Sequence, residues 1–265
     1  MRAGPPTGTV PVPNSIAALA NGAAVHPVWV NELGGLTFRI EGAYGRTFAK
    51  WSPPGGPDLA DEAQRLRWAL PYIAVPEVLS LGGDADGTWL VTRALPGDSA
   101  VATTWTADPE RAVNAIGRGL RALHDALPVA SCPFTWSTTE RVAVARDRVT
   151  AGLADPSRWH EDHRQLGVEQ AIARVAHPPK VDLLVVCHGD ACAPNTLIGP
   201  NGQCTGHVDL GALGVADRWA DLAIATWSTV WNFGSGWEAT LLDAYGVADD
   251  PVRRDYYRLL WDLGP

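Results

Sequence analysis

Three oxygen-bearing side chains lie along one short stretch of this chain, VVCHGDACAPNTLIGPNGQCTGHVD, residues 185–209. Asp190 follows His188 and Gly189 at the end of an apolar run, Asn195 comes next, and Asp209 stands just ahead of Gly211. An Asp that can orient a hydroxyl and take its proton, followed by an Asn and a second Asp that can each offer an oxygen to a divalent cation, is the set that phosphoryl transfer requires. Mg²⁺ takes hard oxygen donors and keeps several waters, so one carboxylate, one amide oxygen and nucleotide phosphates suffice. Each residue also has a plainer reading. Asp190 could be a solvated turn residue, Asn195 an Asx-turn and Asp209 a hairpin signal. Their order and joint spacing favour the chemistry.

Such residues need elements to hold them. Leu183–Cys187 reads as an apolar strand running into the His188–Asp190 turn, and Thr205–Val208 as a second strand delivering Asp209. Upstream, Leu36–Ile40, Thr47–Trp51 and Thr88–Arg93 read as strands, the first two joined by the hairpin-like EGAYGR. Between the second and third, PDLADEAQRLRWAL puts Leu59, Ala63, Leu66 and Leu70 at helical spacing, with Asp61 one turn from Arg65. After LPGD (Leu95–Asp98) the pattern turns helical. Asp108 is the expected N-cap with Pro109 at N1, and Val113, Ile116, Leu120, Leu123 and Leu127 trace one face. Further helices are expected over Glu140–Leu153, from a cap at Asp217 to about Trp231, over Trp237–Tyr245 and over Pro251–Asp262. The order predicts an α+β fold with a small β-rich N-lobe, residues 1–95, and a larger, mainly helical C-lobe, residues 96–265. Residues 1–25 are expected to be a partly mobile leader.

In CHGDACAPN, DLGALGVADRWADLAIAT and CPFTWSTTERVAVARDRVTAGL the chain resembles the aminoglycoside phosphotransferase family, over nearly its whole length from about Trp29. The resemblance implies a bilobal protein-kinase-like fold, with HGD where protein kinases write HRD and DxG where they write DFG. It implies Asp190 as the catalytic carboxylate and Asn195 and Asp209 as the Mg²⁺ ligands. Lys50, in TFAKW, takes the place of the strand lysine that contacts the α/β-phosphates, and Glu62 that of the helix glutamate that pairs with it. Lys50 is the only Lys apart from Lys180. A carboxylate partner would orient that ammonium and keep it charged. Gly34 and Gly35, in NELGGLTFR, fall in the loop that covers the phosphates. Relatives often carry Ser there and this chain has Leu33, so contacts are expected from backbone N–H groups. Around Arg93 to Leu95 the main chain would meet the purine. His188 is expected to brace the loop.

On the acceptor side the pattern departs from the family. Glu161 and Asp162 match part of an acidic insertion, with His160 where a relative has Asp. Asp262 keeps one carboxylate of a C-terminal signature whose other is replaced by Trp261. Trp227 and Ser228 replace an Arg-Asp pair, and Ala212 replaces the Arg of DxGRxG. Glu161, Asp162, Asp262 and Trp227 are the expected substrate-binding residues. Fewer acids reduce the capture of a polycation, while Trp can stack on a sugar or a flatter ring. The implied reaction is Mg²⁺-dependent transfer of the γ-phosphate of ATP or GTP to a 3′- or 3″-hydroxyl of an aminoglycoside, giving antibiotic resistance. Two alternatives stand beside it: a kinase of another hydroxylated small molecule (sugar, macrolide or choline-like), and a pseudokinase serving as a binding module.

The remaining bounds are coarse. A net charge of −8 over 265 residues argues against nucleic acid and suits a cationic small substrate. The four cysteines form no CxxC pair, the proline-broken N-terminus has no continuous apolar core of a signal peptide, and no run approaches a membrane span. A cytoplasmic monomer or homodimer without a membrane partner is expected.

Overall fold

The computed structural model describes residues 4–31, 33–42 and 45–264. They form two compact units. One holds the described residues up to Pro96 together with His207–Gly211, and the other holds Gly97–Gly206 and the chain from Ala212 onward.

The first unit carries α1 (Asn14–Ala20), β1 (Ala24–Val30), β2 (Leu36–Gly42), β3 (Gly45–Ser52), α2 (Leu59–Ala69), β4 (Val78–Asp84) and β5 (Gly87–Arg93). Its strands make one sheet in the order β1-β2-β3-β5-β4, every pair antiparallel. β2 and β3 run in unbroken register from Leu36 opposite Trp51 to Gly42 opposite Gly45. Alternation therefore sends Phe38, Ile40, Ala49 and Val91 to one buried face. The turn expected at EGAYGR contains Ala43 and Tyr44, which lie outside the described residues.

Two strands were not expected, and both are edges. β1 contains Pro27 and a register shift between Pro27 and Trp29. β4 shifts between Val78 and Ser80 and runs into Gly82–Gly83. Pro and Gly weaken a strand pattern in sequence, yet an edge strand tolerates them because one side needs no ladder partner. Part of the expected leader, residues 1–25, packs on the sheet. Gly4 exchanges backbone hydrogen bonds with Val30, and α1 lays Ile16 and Ala20 into the core under the sheet. α2 starts where the pattern put it, with the Asp58 carboxylate accepting the Ala60 N–H at 2.8 Å. Leu59, Ala63 and Leu66 are buried, but Leu70 caps the helix and is exposed; Glu62 and Ala69 share the inner face instead.

The second unit carries β6 (Asp98–Ser99), α3 (Thr103–Thr106), α4 (Pro109–Ala126), α5 (Thr138–Thr150), α6 (Val168–Val175), β7 (Leu184–Cys187), β8 (Thr196–Ile198), β9 (Cys204–His207, its last residue grouped with the first unit), β10 (Gly214–Asp217), α7 (Trp219–Phe233), α8 (Glu238–Tyr245) and α9 (Pro251–Asp262). α4 has the expected cap at Asp108 with Pro109 at N1, and its face from Val113 to Leu127 is buried. α7 is buried at every position from Trp219 to Thr229, as a helix apolar on all sides must be. It begins one residue later than expected. Arg218 holds the cap position, while the Asp217 carboxylate accepts the N–H groups of Trp219 (3.0 Å) and Asp182 (2.9 Å). Two small sheets complete the unit: β7 antiparallel to β10, and β6-β8-β9.

Because Ile16 is 0% exposed, Ile16→Ala is expected to lower the unfolding free energy by about 2–4 kcal/mol. Urea titration checks this, and an unchanged midpoint would mean that α1 is not part of the folded core.

Candidate active site

Lys50 sits on β3, opposite Thr37 of β2 and Leu90 of β5. Its ammonium lies 2.8 Å from each oxygen of Glu62, in the first turn of α2, and 2.7 Å from Oδ1 of Asp209. The segment bearing Asp209 joins this unit through the His207 N–H, which donates to the Ala74 carbonyl at 3.2 Å. Asp209 itself takes a left-handed backbone with φ 66°, uncommon for a residue with a Cβ. Burial pulls the Lys50 pKa down, but the charges of Asp209 and Glu62 outweigh it and the net shift is upward. Pairing of this kind stabilises the fold fully below the ordinary lysine pKa and is lost only as pH rises through the elevated folded value. Lys50 therefore stays charged throughout the neutral range.

In the second unit β7 delivers the His188–Asp190 turn, with Cys187 opposite Gly214 of β10. Gly189 has φ 87°, and a Cβ there would lie 2.2 Å from the Ala212 carbonyl oxygen, so only glycine fits. The N–H groups of His188 (2.6 Å) and Gly189 (2.9 Å) both donate to the carboxylate of Asp221, on α7 and 0% exposed. The Asp190 N–H donates to Nδ1 of buried His188 at 3.2 Å. Farther along, the Ala193 N–H donates to Ser228 Oγ at 2.8 Å. Asn195 Nδ2 donates to the Asp190 carbonyl at 3.0 Å, which leaves the amide oxygen as the atom to meet a cation. The hard-oxygen character of Asn195 and Asp209 fits Mg²⁺.

Asp221 is the functional residue that sequence reading missed. The available signal was a single acid inside the otherwise apolar WADLAIAT, where a buried carboxylate must have donors.

The other expected residues divide. In the loop containing Gly34 and Gly35, Asn31 Oδ1 accepts the N–H groups of Leu33 (2.9 Å) and Gly35 (2.6 Å), and the Asn31 carbonyl accepts that of Gly34 at 3.3 Å. The expectation that these N–H groups meet phosphates is revised: as the loop stands, Asn31 uses all three. A Cβ on Gly35 would lie 2.4 Å from Asn31 Nδ2, so glycine is needed for the loop to close on itself. Glu32 lies outside the described residues. Arg93 is exposed and pairs with Glu77 at 2.8 Å. Among the described residues, the main chain of Leu95 makes no hydrogen bond.

Glu161 and Asp162 are exposed, the latter 3.2 Å from His160 Nδ1. Trp227 requires correction, and Asp262 has close partners within the chain. Asp262 Oδ2 is held by His163 Nδ1 at 2.5 Å and the His160 N–H at 3.1 Å. Trp227 is 2% exposed, packed against His160 (4.5 Å), Trp231 (5.4 Å) and the Arg258 guanidinium (5.1 Å). Trp227 therefore presents almost no surface to an acceptor, whereas Asp262 is partly exposed and both of these bonds fall on its Oδ2.

A strand lysine held by a helix glutamate and a second acid, with an HGD turn braced on a buried helix, defines a kinase-like phosphotransferase. The family model described as "Phosphotransferase enzyme family" matches residues 32–258, and the chain belongs to that family. It is 40% identical to an aminoglycoside 3′-phosphotransferase of Streptomyces fradiae over 214 residues, 77% of this chain and 78% of the relative. Its fold matches a crystal structure of an aminoglycoside-3′-phosphotransferase of type VIII with TM-score 0.82 and 31% identity, covering 94% of this chain and 98% of the other. It likewise matches the aminoglycoside phosphotransferase APH(3″)-Id of Streptomyces rimosus, solved with ADP and streptomycin, with TM-score 0.75 and 30% identity over 95% and 99% of the two chains. The α+β, kinase-like fold expected from the sequence is the one these enzymes share.

Removing Lys50 would leave Glu62, 6% exposed, beside Asp209 with no cation between them. Lys50→Ala is therefore expected to lower stability by about 1–3 kcal/mol at neutral pH, and Lys50→Ala/Glu62→Gln by less. Parallel urea titrations of the two variants decide it; equal losses would show that like-charge repulsion is not the cause.

Proposed function

We propose that this protein is an antibiotic-resistance kinase that transfers the γ-phosphate of ATP or GTP to a 3′- or 3″-hydroxyl of an aminoglycoside. The observation that carries the reading is the Lys50 ammonium bonded at once to Glu62 and Asp209, an arrangement that aims a cation at phosphate oxygens. Bound Mg²⁺, with Asp209 and Asn195 as its protein ligands, would neutralise charge on the phosphates. Lys50 holds the α/β-phosphates. Asp190 orients the acceptor hydroxyl and takes its proton late in the transfer. The uncommitted main chain of Leu95 is suited to a purine edge.

Of the expected acceptor residues, Glu161 and Asp162 remain as exposed carboxylates able to receive ammonium groups. The relative solved with ADP and streptomycin supports both halves of the reading, nucleotide donor and aminoglycoside acceptor. A triphosphate donor implies a cytoplasmic setting, and among the described residues no helix is long and apolar enough to cross a membrane.

The test is a coupled assay of nucleoside diphosphate release over a panel of aminoglycosides with Mg²⁺, with mass spectrometry of the products. Asp190→Ala is expected to lower kcat by about 10²–10⁴-fold while the melting temperature stays put. Phosphorylated product from a sugar, macrolide or choline-like compound, and from no aminoglycoside, would move the acceptor class. Full activity in Asp190→Ala would remove the mechanism.

A further inference from the structure

Lys50 has carboxylates against it; the guanidinium of Arg141 does not. Arg141 stands in the first turn of α5 and is 4% exposed. Its Nε and Nη1 atoms are buried without an acceptor, and among the described residues no carboxylate pairs with it. The ring of Trp136 stacks against the guanidinium at 4.8 Å. Stacking offsets part of the charge through the ring face, yet the N–H groups lie in the guanidinium plane and stay unmet. Nε1 of Trp136 is also buried without an acceptor. Burial lowers the Arg141 pKa to about 10, which still leaves the group protonated at neutral pH. A lone buried charge is costly, and an anion supplied from outside would relieve it.

Beside this group lies a cavity of about 380 Å³. Thr135, Ser137 and Thr138 line it, the first two flanking Trp136 and the last two standing one helical turn before Arg141. Val181, Leu184 and Val215 give it an aliphatic side, with Val181 and Leu184 half exposed. Tyr257, on α9, lines it as well. That side chain is 2% exposed, and its hydroxyl makes no hydrogen bond among the described residues. Burial holds the hydroxyl well above its ordinary pKa, so it keeps its proton and is a donor in want of an acceptor. Asp217 also borders the space, but its oxygens are taken by the N–H groups of Trp219 and Asp182, and burial raises its pKa. The cavity sits at the far end of the β7–β10 pair from the catalytic turn. Leu184 faces Asp217 here, whereas Cys187 faces Gly214 where the chain enters the His188–Asp190 turn.

We propose that this cavity is a binding site for a small organic carboxylate, which accepts a hydrogen bond from Tyr257, is drawn by the buried charge of Arg141 and lays its hydrocarbon part against Val181, Leu184 and Val215. A volume of this size, apolar over much of its wall and with a few convergent polar groups, is what small-ligand sites share. The donors ask for an acceptor with negative charge, and the aliphatic side asks for an apolar body. Inorganic phosphate has the charge but nothing to fill that side. The inference goes beyond the phosphotransferase reading and does not depend on it.

Isothermal titration with hexanoate and 2-naphthoate, each beside its neutral amide, tests the site. The wild-type protein is expected to bind the acids at least about tenfold more tightly than the amides, as a charge-assisted contact requires. Arg141→Leu is expected to weaken acid binding about 10- to 100-fold, and Tyr257→Phe about 3- to 10-fold. Lys50→Ala should leave it unchanged, which separates this site from the other buried cation. In urea titration without ligand, Arg141→Leu should unfold at or above the wild-type midpoint, because it removes a charge that has no partner. No saturable binding of either acid, equal affinity for acid and amide, undiminished binding in folded Arg141→Leu, or loss of binding in Lys50→Ala would each overturn the proposal. Should Arg141→Leu fail to fold, the contrast of acid with amide in the wild type and the Tyr257→Phe titration decide it. These measurements need no phosphoryl transfer, so a protein that phosphorylates no aminoglycoside would sink the functional reading and leave them standing.

Discussion

A charge taken out of water must be met by groups of opposite sign or by hydrogen-bond donors, and this protein's functional residues are arranged around two places where that condition is satisfied. The first is Lys50. One ammonium receives a carboxylate from the helix that follows its own strand and another from a segment 159 residues away. Because both acids sit on backbone that is itself fixed, the lysine has one low-energy position rather than many. A cation so held has its position set before any ligand arrives, and preorganisation of that kind is where enzymes gain most of their electrostatic stabilisation.

The second is Asp221, the reverse case. Here a buried anion collects donors, and two of them are consecutive backbone N–H groups of the His188–Asp190 turn. Placing a carboxylate in the middle of an apolar helix is unfavourable for α7 taken alone. It becomes favourable once the turn, His124 and, behind it, Tyr245 are present, so the helix and the turn define each other. Gly189 enters the same argument from the steric side, since its left-handed backbone leaves no space for a side chain against Ala212.

Aromatic residues near the C-terminus follow a different logic. Trp227 and Asp262 stand where the family resemblance put acceptor contacts, and each has partners within the chain: His160, Trp231 and Arg258 for the ring, His163 for the carboxylate. Glu161 and Asp162, the other two residues that the resemblance marked, are exposed.

Local sequence determined a good deal unaided. The alternation of β2 and β3 and the capped amphipathic helices α2 and α4 depend on neighbours within a few residues, and such patterns are legible one segment at a time, whereas Lys50 and Glu62 were marked only by the family resemblance. Edge strands β1 and β4 and helix α1 were not legible. Their prolines, glycines and short apolar runs gain meaning only from the sheet they complete. Tertiary structure alone decided that Asp221 and His124, 97 residues apart, share a hydrogen bond, that the glycine loop turns its N–H groups onto Asn31, and that Asp262 meets His163. A side chain's type says which bonds it can make. Which it does make depends on which partner burial brings within three ångströms or so, and no periodicity encodes that distance.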